Sequence, residues 1–320
     1  MLTRRATRAF VSPAANPMPD GVPPDVGPDE EVRGRSLWAD GRARFARNRA
    51  AVASSFVLLA LTLFAFLGGL ISPWDNETID WNMLGQVSEV GGPSLTTGHW
   101  FGVDETGRDL YARTVQGTRI SLAVGIVGAL VAVVIGTLYG AVSGYVGGRA
   151  DSVMMRAVDV MIAVPYMFVL ILLLVVFERS VIMLFVGVGL ISWLDMARIV
   201  RGQTLSLKNR EFVEAAIATG VRTPTIILRH IVPNLLGIVV VYATLLVPSM
   251  ILAESFISFL GLGVQEPQTS LGALIAQGAQ QMRNDVPWML GFPLAAFVIL
   301  LFALFFVGDG LRDALDPKDR

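Results

Sequence analysis

Residues 210–234 read REFVEAAIATGVRTPTIILRHIVPN, a polar, alanine-rich stretch in a chain that is otherwise largely apolar. Asn209 stands where a helix can start, and Glu211, Phe212, Glu214, Ala215, Ala216 and Ala218 continue it. Gly220 then supplies the left-handed residue that ends many helices. Thr223 as N-cap and Pro224 in the first turn predict a second short helix, running through Ile226, Ile227 and Leu228 to His230. Pro233-Asn234 opens the next apolar run. The expectation is two short helices joined by a glycine elbow. Alanines keep a helix slim enough to enter a cleft, and Glu214 offers a charge to a partner or to nearby arginines. On these residues alone, the segment is either an amphipathic surface loop or a docking element for a soluble partner.

The rest of the chain says what carries this segment. Of 320 residues, 53% are hydrophobic and 16% charged, and the mean hydropathy is +0.61. Soluble domains carry about 25% charged residues, so the chain reads as a membrane protein. A bilayer core of about 30 Å requires about 20 apolar residues in a helix. Six segments qualify: 50–71, 119–146, 154–177, 181–199, 233–254 and 287–307. The third and fourth are separated by Glu178-Arg179-Ser180, read as a tight hairpin. Residues 1–30 hold six prolines and no apolar run, so 1–32 is expected to be a disordered arm rather than a signal peptide. A basic segment, 33–49, precedes the six-helix domain of 50–320. With no cysteine, disulfides, thiolate metal sites and thiol nucleophiles are excluded. His99 and His230 are too few for a histidine-based metal centre.

Basic residues set the expected orientation. Arg33, Arg35, Arg42, Arg44, Arg47 and Arg49 precede the first span. With that end cytoplasmic, six spans return the C-terminus to the cytoplasm. All but five of the 25 basic residues then lie inside, the exceptions being Arg108, Arg113, Arg119, Arg179 and Arg283. The loop 72–118 falls outside and is too long for a turn, so it is either a small cap or a solvated connector. In the second outer loop, 255–286, Gly261, Gly263 and Pro267 argue against one continuous helix. The inner loop is 200–232.

Gly136, Gly140 and Gly144 share a helix face and permit close backbone approach, for packing first and for a ligand second. Pro165, Pro248 and Pro293 can bend their helices. Asp159, Asp195 and Glu254 are costly in apolar spans and are functional candidates. Spacing pairs Arg156 with Asp159 and Asp195 with Arg198, each on one helix. Glu254 lacks a local partner and is read as facing a pathway or outer gate, or as an interfacial residue at a helix end.

Glu214-Ala215-Ala216, three residues, Gly220 and then Pro233 resemble the EAA loop of ABC-importer permeases. Arg229-His230-Ile231-Val232-Pro233-Asn234 is similar to the peptide-permease branch, specifically its oligopeptide C-subunit type. His230 and Val232 stand where that family's pattern usually has aliphatic residues before the proline. Further similarity lies in Arg35-Ser36-Leu37-Trp38, Asn48–Ala53, His99-Trp100-Phe101-Gly102, Gly107-Arg108-Asp109 and Arg119–Leu122. It continues through Ser192–Arg198, Ser258–Gly263 and Gly308–Lys318.

The resemblance implies an all-α integral membrane protein, a type I ABC-importer permease with six transmembrane helices and cytoplasmic coupling helices. It implies that Glu214, Ala215, Ala216 and Gly220, with Arg210 and Phe212, couple to an ATPase. It also implies a second homologous permease, two ATP-binding subunits and an extracytoplasmic peptide-binding protein as partners, at a bacterial inner membrane. ATP and Mg would be held by the ATPases, with no cofactor in this chain and no nucleic-acid partner. The chain has no Gly-rich loop ending in Gly-Lys-Ser/Thr, which argues against ATP binding of its own. It also lacks the His-Glu-x-x-His and Gly-x-Ser-x-Gly patterns of membrane enzymes. An ion-driven carrier has no use for the 210–234 insertion.

Overall fold

The computed structural model describes residues 37–177 and 180–315. The N-terminal arm, the Glu178-Arg179 part of the expected hairpin and the last five residues lie outside them. The described residues are mostly helical, their only pairings of extended backbone being two isolated bridges, Ile79 with Arg108 and Val103 with Asp109.

The elements are α1 (Leu37–Arg47), α2 (Arg49–Ile71), α3 (Val87–Val90), α4 (Leu110–Val146), α5 (Gly148–Ala163) and α6 (Tyr166–Val176). They continue with α7 (Val181–Leu207), α8 (Glu211–Ala218), α9 (Thr223–Ile226), α10 (Val232–Phe259), α11 (Leu271–Gln280) and α12 (Trp288–Leu315). Five spans are long and apolar enough to cross a membrane: α2, α4, α7, the run Thr223–Phe259, and α12. The pair α5 and α6, bent by 75° at its break, is long and apolar enough to cross only when taken together.

Side-chain caps start these helices where the sequence offers oxygen ligands. The Asn48 side chain accepts from the Ala51 N–H at 3.1 Å, Asp109 from Ala112 at 2.7 Å, and Ser180 from Met183 at 3.2 Å. Each satisfies an amide that a helix start leaves orphaned.

Several boundaries differ from the sequence expectation. The second span begins at Leu110 rather than 119, so the outer cap is 72–109. Its early polar residues are satisfied by tertiary partners: Arg113 pairs with Asp104, and Arg119 Nε donates to the Ala65 carbonyl at 2.8 Å. The fourth span extends from 199 to Leu207 and the sixth from 307 to Leu315. The third span, expected at 154–177, is two helices. Proline disfavours α geometry in the residue before it, and Val164 is extended at φ −83°, ψ 124°. Pro248 and Pro293 interrupt neither of their helices.

The expected pair of short helices is also revised. N-caps fall at Arg210 and Arg222 rather than Asn209 and Thr223. Residues 223–230 do not form a separate helix. Helix α9 passes through one π-helical turn, Ile227–Ile231, straight into α10. Pro233 lacks an N–H and its ring crowds the carbonyl four residues back; a wider turn just before it relieves both.

Three apolar clusters hold the bundle. One joins Ala141, Met196 and Val200 to α8 and the start of α10. A second joins α4, α6, α7 and α10 around Leu170, Leu174, Leu184 and Ile257. The third joins α2, α4, α10, α11 and α12 around Ala65, Leu122, Ile251 and Leu300. Phe56, Leu63, Phe66 and Leu70 on α2 and Phe302 on α12 face outward, as helices in a hydrocarbon layer require.

Candidate functional site

Helix α8 ends in a Schellman closure. The Gly220 N–H donates to the Ile217 carbonyl at 2.9 Å and the Val221 N–H to the Ala216 carbonyl at 3.0 Å. Gly220 sits at φ +76°, which is glycine's region. No atom lies within 4 Å of a Cβ built there, so conformation alone accounts for the glycine.

The two sides of α8 differ sharply. Val213 and Ala216 are buried, packed with Ile226, Ile227, Ile231, Leu235 and Val239 and against Met196 and Val200 of α7. Glu211, Phe212, Glu214, Ala215 and Ile217 are exposed. Glu214 has no ion-pair partner among the described residues, so the expected bond to nearby arginines is absent. Arg210 and Phe212 are exposed beside it. The arrangement is a short helix, firmly seated on one face and presenting a mixed acidic and apolar surface on the other. The anchoring role of 213, 216, 226, 227 and 231 was not read from sequence; Ala216, expected among the residues that couple to an ATPase, is instead buried on the seated side. The signal for these anchors is there, as apolar residues at three- and four-residue spacing.

Behind α8, α4 and α7 are in close contact along the glycine row. A Cβ at Gly136 would lie 2.7 Å from the Trp193 carbonyl oxygen, and one at Gly144 2.8 Å from that of Arg201. At Gly140 it would overlap the Ala197 carbonyl oxygen. Below this row, Asp151 of α5 is gripped by Arg201 through two bonds of 2.5 and 2.6 Å, and Ser143 donates to it at 2.6 Å. Lys208 adds a bond to the Gly144 carbonyl at 3.2 Å. The segment entering α8 is thus tied by charge as well as by packing.

The expected intrahelical ion pairs are not formed. Arg198 reaches across from α7 to Asp159 of α5, at 2.5 Å. That removes Asp159 from Arg156 and Arg198 from Asp195. Asp195 is left exposed, without a partner among the described residues.

Glu254 is not on an open surface. It is fully buried, taking hydrogen bonds from Ser258 at 2.6 Å, Ser121 at 3.0 Å and Ser255 at 3.2 Å. Ser270, at the start of α11, donates to Ser258 at 3.1 Å. The carboxyl group ties α4, α10 and the second loop together. This corrects the reading of a residue facing a pathway or outer gate.

At the opposite end from α8, residues 72–109 form a folded cap. His99 is buried between Asp109 (2.9 Å) and Asp80 (3.4 Å) and stacks on Trp74 at 4.4 Å. Burial pushes the Asp109 carboxyl above its ordinary value, against the bonds from Ala112 and His99. For Asp80, burial acts the same way, but hydrogen bonds from Asn82 and His99 outweigh it and hold the group below its ordinary value. Arg108 and Arg113 both reach Glu266 of the second loop, at 2.9 and 3.4 Å. Phe101 stacks on Phe292 of α12 at 4.1 Å. Among the described residues no group of three acidic, histidine or cysteine side chains is placed to hold a metal ion.

Comparison with known proteins agrees with this architecture. Residues 113–320 match the family model described as "Binding-protein-dependent transport system inner membrane component". Residues 36–86 match the "N-terminal TM domain of oligopeptide transport permease C". The chain is 57% identical over 290 residues to the oligopeptide transport system permease protein OppC of Escherichia coli K12, covering 91% of this chain and 94% of that protein. To OppC of Haemophilus influenzae it is 53% identical over 290 residues, 91% of each chain. To the dipeptide transport system permease protein DppC of Bacillus subtilis it is 42% identical over 285 residues, 89% of this chain and 87% of that one.

Proposed function

The chain belongs to the family of binding-protein-dependent transport system inner membrane components, and on that premise we propose that α8 is the lever coupling its membrane helices to separate ATP-hydrolysing subunits. The chain is the oligopeptide permease of an ABC import system and supplies part of its membrane passage. A second, similar permease completes the passage, and two ATP-binding subunits carry ATP and Mg. An extracytoplasmic peptide-binding protein delivers cargo to the capped end. The α8 end and both termini face the cytoplasm of a bacterial inner membrane, as the arginine distribution favours.

One observation carries this reading: α8 is exposed on one face and locked into α4, α7 and α10 on the other. A partner that grips Phe212, Glu214, Ala215 and Ile217 moves a rigid body. Because α9 continues through the π turn into α10, displacement at Thr223 is delivered directly to a membrane-crossing helix. Two-state rearrangements of packed helices are the usual way such local forces become large motions.

The test is made on the assembled importer in proteoliposomes. Gly220→Pro forces φ to about −65° where +76° is needed. Uptake of labelled tri- to pentapeptides should be lost while ATP hydrolysis persists. Ala215→Trp is the companion variant: it bulks the exposed face without touching the buried one, and should block docking of the ATPases. Normal uptake by both variants overturns the coupling role. Uptake of dipeptides in preference to longer peptides by the parent would move the substrate reading to dipeptides.

A further inference from the structure

We infer that the groove around Asp195 receives the cationic end of the cargo, the ammonium group of a peptide, on its way through the permease. This rests on the oligopeptide-importer reading above.

Asp195 lies near the middle of α7, with about 20 Å of helix on either side. The basic side chains nearest in sequence are committed elsewhere: Arg198 to Asp159 and Arg201 to Asp151. An unpaired carboxylate on a membrane-crossing helix is costly unless it meets a partner or a water-filled cavity. It opens into a groove of about 260 Å³ between α6, α7 and α10, lined among others by Tyr166, Leu170, Ser192, Ser249 and Met250. The 75° bend at Pro165 gives α6 its own direction and helps to shape this groove. Sites that enclose a whole small molecule span about 300–1,000 Å³. This groove is smaller, so it suits one terminus or one side chain rather than an entire peptide.

The polarity of the lining selects the sign of the guest. The Ser249 hydroxyl donates to the Leu245 carbonyl of its own helix at 3.2 Å, and that of Ser192 donates to the Val188 carbonyl. The Ser192 hydroxyl also lies 2.9 Å from Met250 Sδ, so within the lining these two hydroxyls spend their protons on the protein, and the Tyr166 hydroxyl is the remaining neutral donor. None of the lining side chains is basic. A carboxylate on apolar walls with no basic side chain beside it fits an ammonium group and disfavours a carboxylate. Every peptide with a free N-terminus carries such a group, which lets the site act without reading sequence.

The chain has no cysteine, so Ser249→Cys introduces the one thiol of this subunit, read on its own band after labelling. In the complete importer, a trimethylammonium thiol reagent should modify this variant about tenfold faster, relative to a sulfonate reagent, than it modifies Ser249→Cys/Asp195→Asn. Cycling the transporter with binding protein, peptide and ATP should slow that modification. Asp195→Asn should cut peptide uptake by about tenfold with subunit assembly intact, and Asp195→Glu should restore part of it. Unchanged uptake in Asp195→Asn, or no charge preference in the labelling, overturns the proposal. So does loss of assembly, which would mark Asp195 as the partner of a cation on the second permease. Absence of peptide uptake by the parent would instead overturn the importer reading itself.

Discussion

Replacing Val213 with alanine tests the mechanical argument most directly. Val213 is fully buried, and among the residues of α8 only it and Ala216 are buried. The change removes two methyl groups, worth about 0.8 kcal/mol each in transfer free energy. An unfilled cavity among Ile226, Ile231 and Met196 adds to this, giving about 2 kcal/mol in all. Ala216 has only a methyl group to hold α8 in its place. A loss of about 2 kcal/mol raises the population of detached α8 about 30-fold. Hydrogen exchange of the amides 213–219, measured on the assembled importer, should accelerate by about that factor. Peptide taken up per ATP hydrolysed should fall, because a loosened lever moves without its bundle. Ile217→Ala is the control, since Ile217 is 54% exposed and its loss should leave exchange unchanged. Unchanged exchange in Val213→Ala would refute the anchoring calculation. Accelerated exchange with undiminished uptake per ATP would refute the claim that rigidity transmits the force.

Other consequences follow from single positions. Gly140→Ala places a Cβ against the Ala197 carbonyl and 2.9 Å from both Arg201 N and Val200 Cβ, so α4 and α7 must part; the expected cost is about 1–3 kcal/mol in thermal melts, against no loss for Gly237→Ala, where nothing lies within 4 Å. Glu254→Ala strands the hydroxyls of Ser121, Ser255 and Ser258 and should cost about 1–3 kcal/mol, with Glu254→Gln recovering part of it. For the cap, Asp80 is held below its ordinary pKa, so its contribution is complete above about pH 3.9 and is lost as pH falls through the lower folded value. Asp80→Asn should therefore flatten the acid limb of cap stability, followed by fluorescence of Trp74, which stacks on His99. Asp109, raised by burial, has the opposite sign: its contribution is greatest below the ordinary value and declines as pH rises.

The membrane class and the existence of the apolar helices could be read from hydropathy, whereas Pro165, Pro248 and Pro293 looked alike and only Pro165 breaks its span. Hydropathy is a local property, set by residues within a turn or two. Helix ends were harder, because polar residues that look like loop belong to helices when a distant partner satisfies them. Arg113 with Asp104, and Arg119 with the Ala65 carbonyl, are the reason α4 starts at Leu110. The π turn ahead of Pro233 left no mark beyond the proline itself.

Partner choice was the least legible feature. The i, i+3 rule joined Arg156 to Asp159 and Asp195 to Arg198, and it was reasonable for isolated helices. In the bundle, α5 and α7 approach closely enough for Arg198 to reach Asp159. The interhelical pair wins, since it ties two helices together and not merely two turns of one. Glu254 met the same limit: Ser121 lies 133 residues away, and no spacing rule links them. The same competition gives Asp195 its meaning. Counted within its own helix it is neutralised and structural. Counted across the bundle, Arg198 and Arg201 are committed to Asp159 and Asp151, and Asp195 is left as one charge in a groove that a visiting cation would balance.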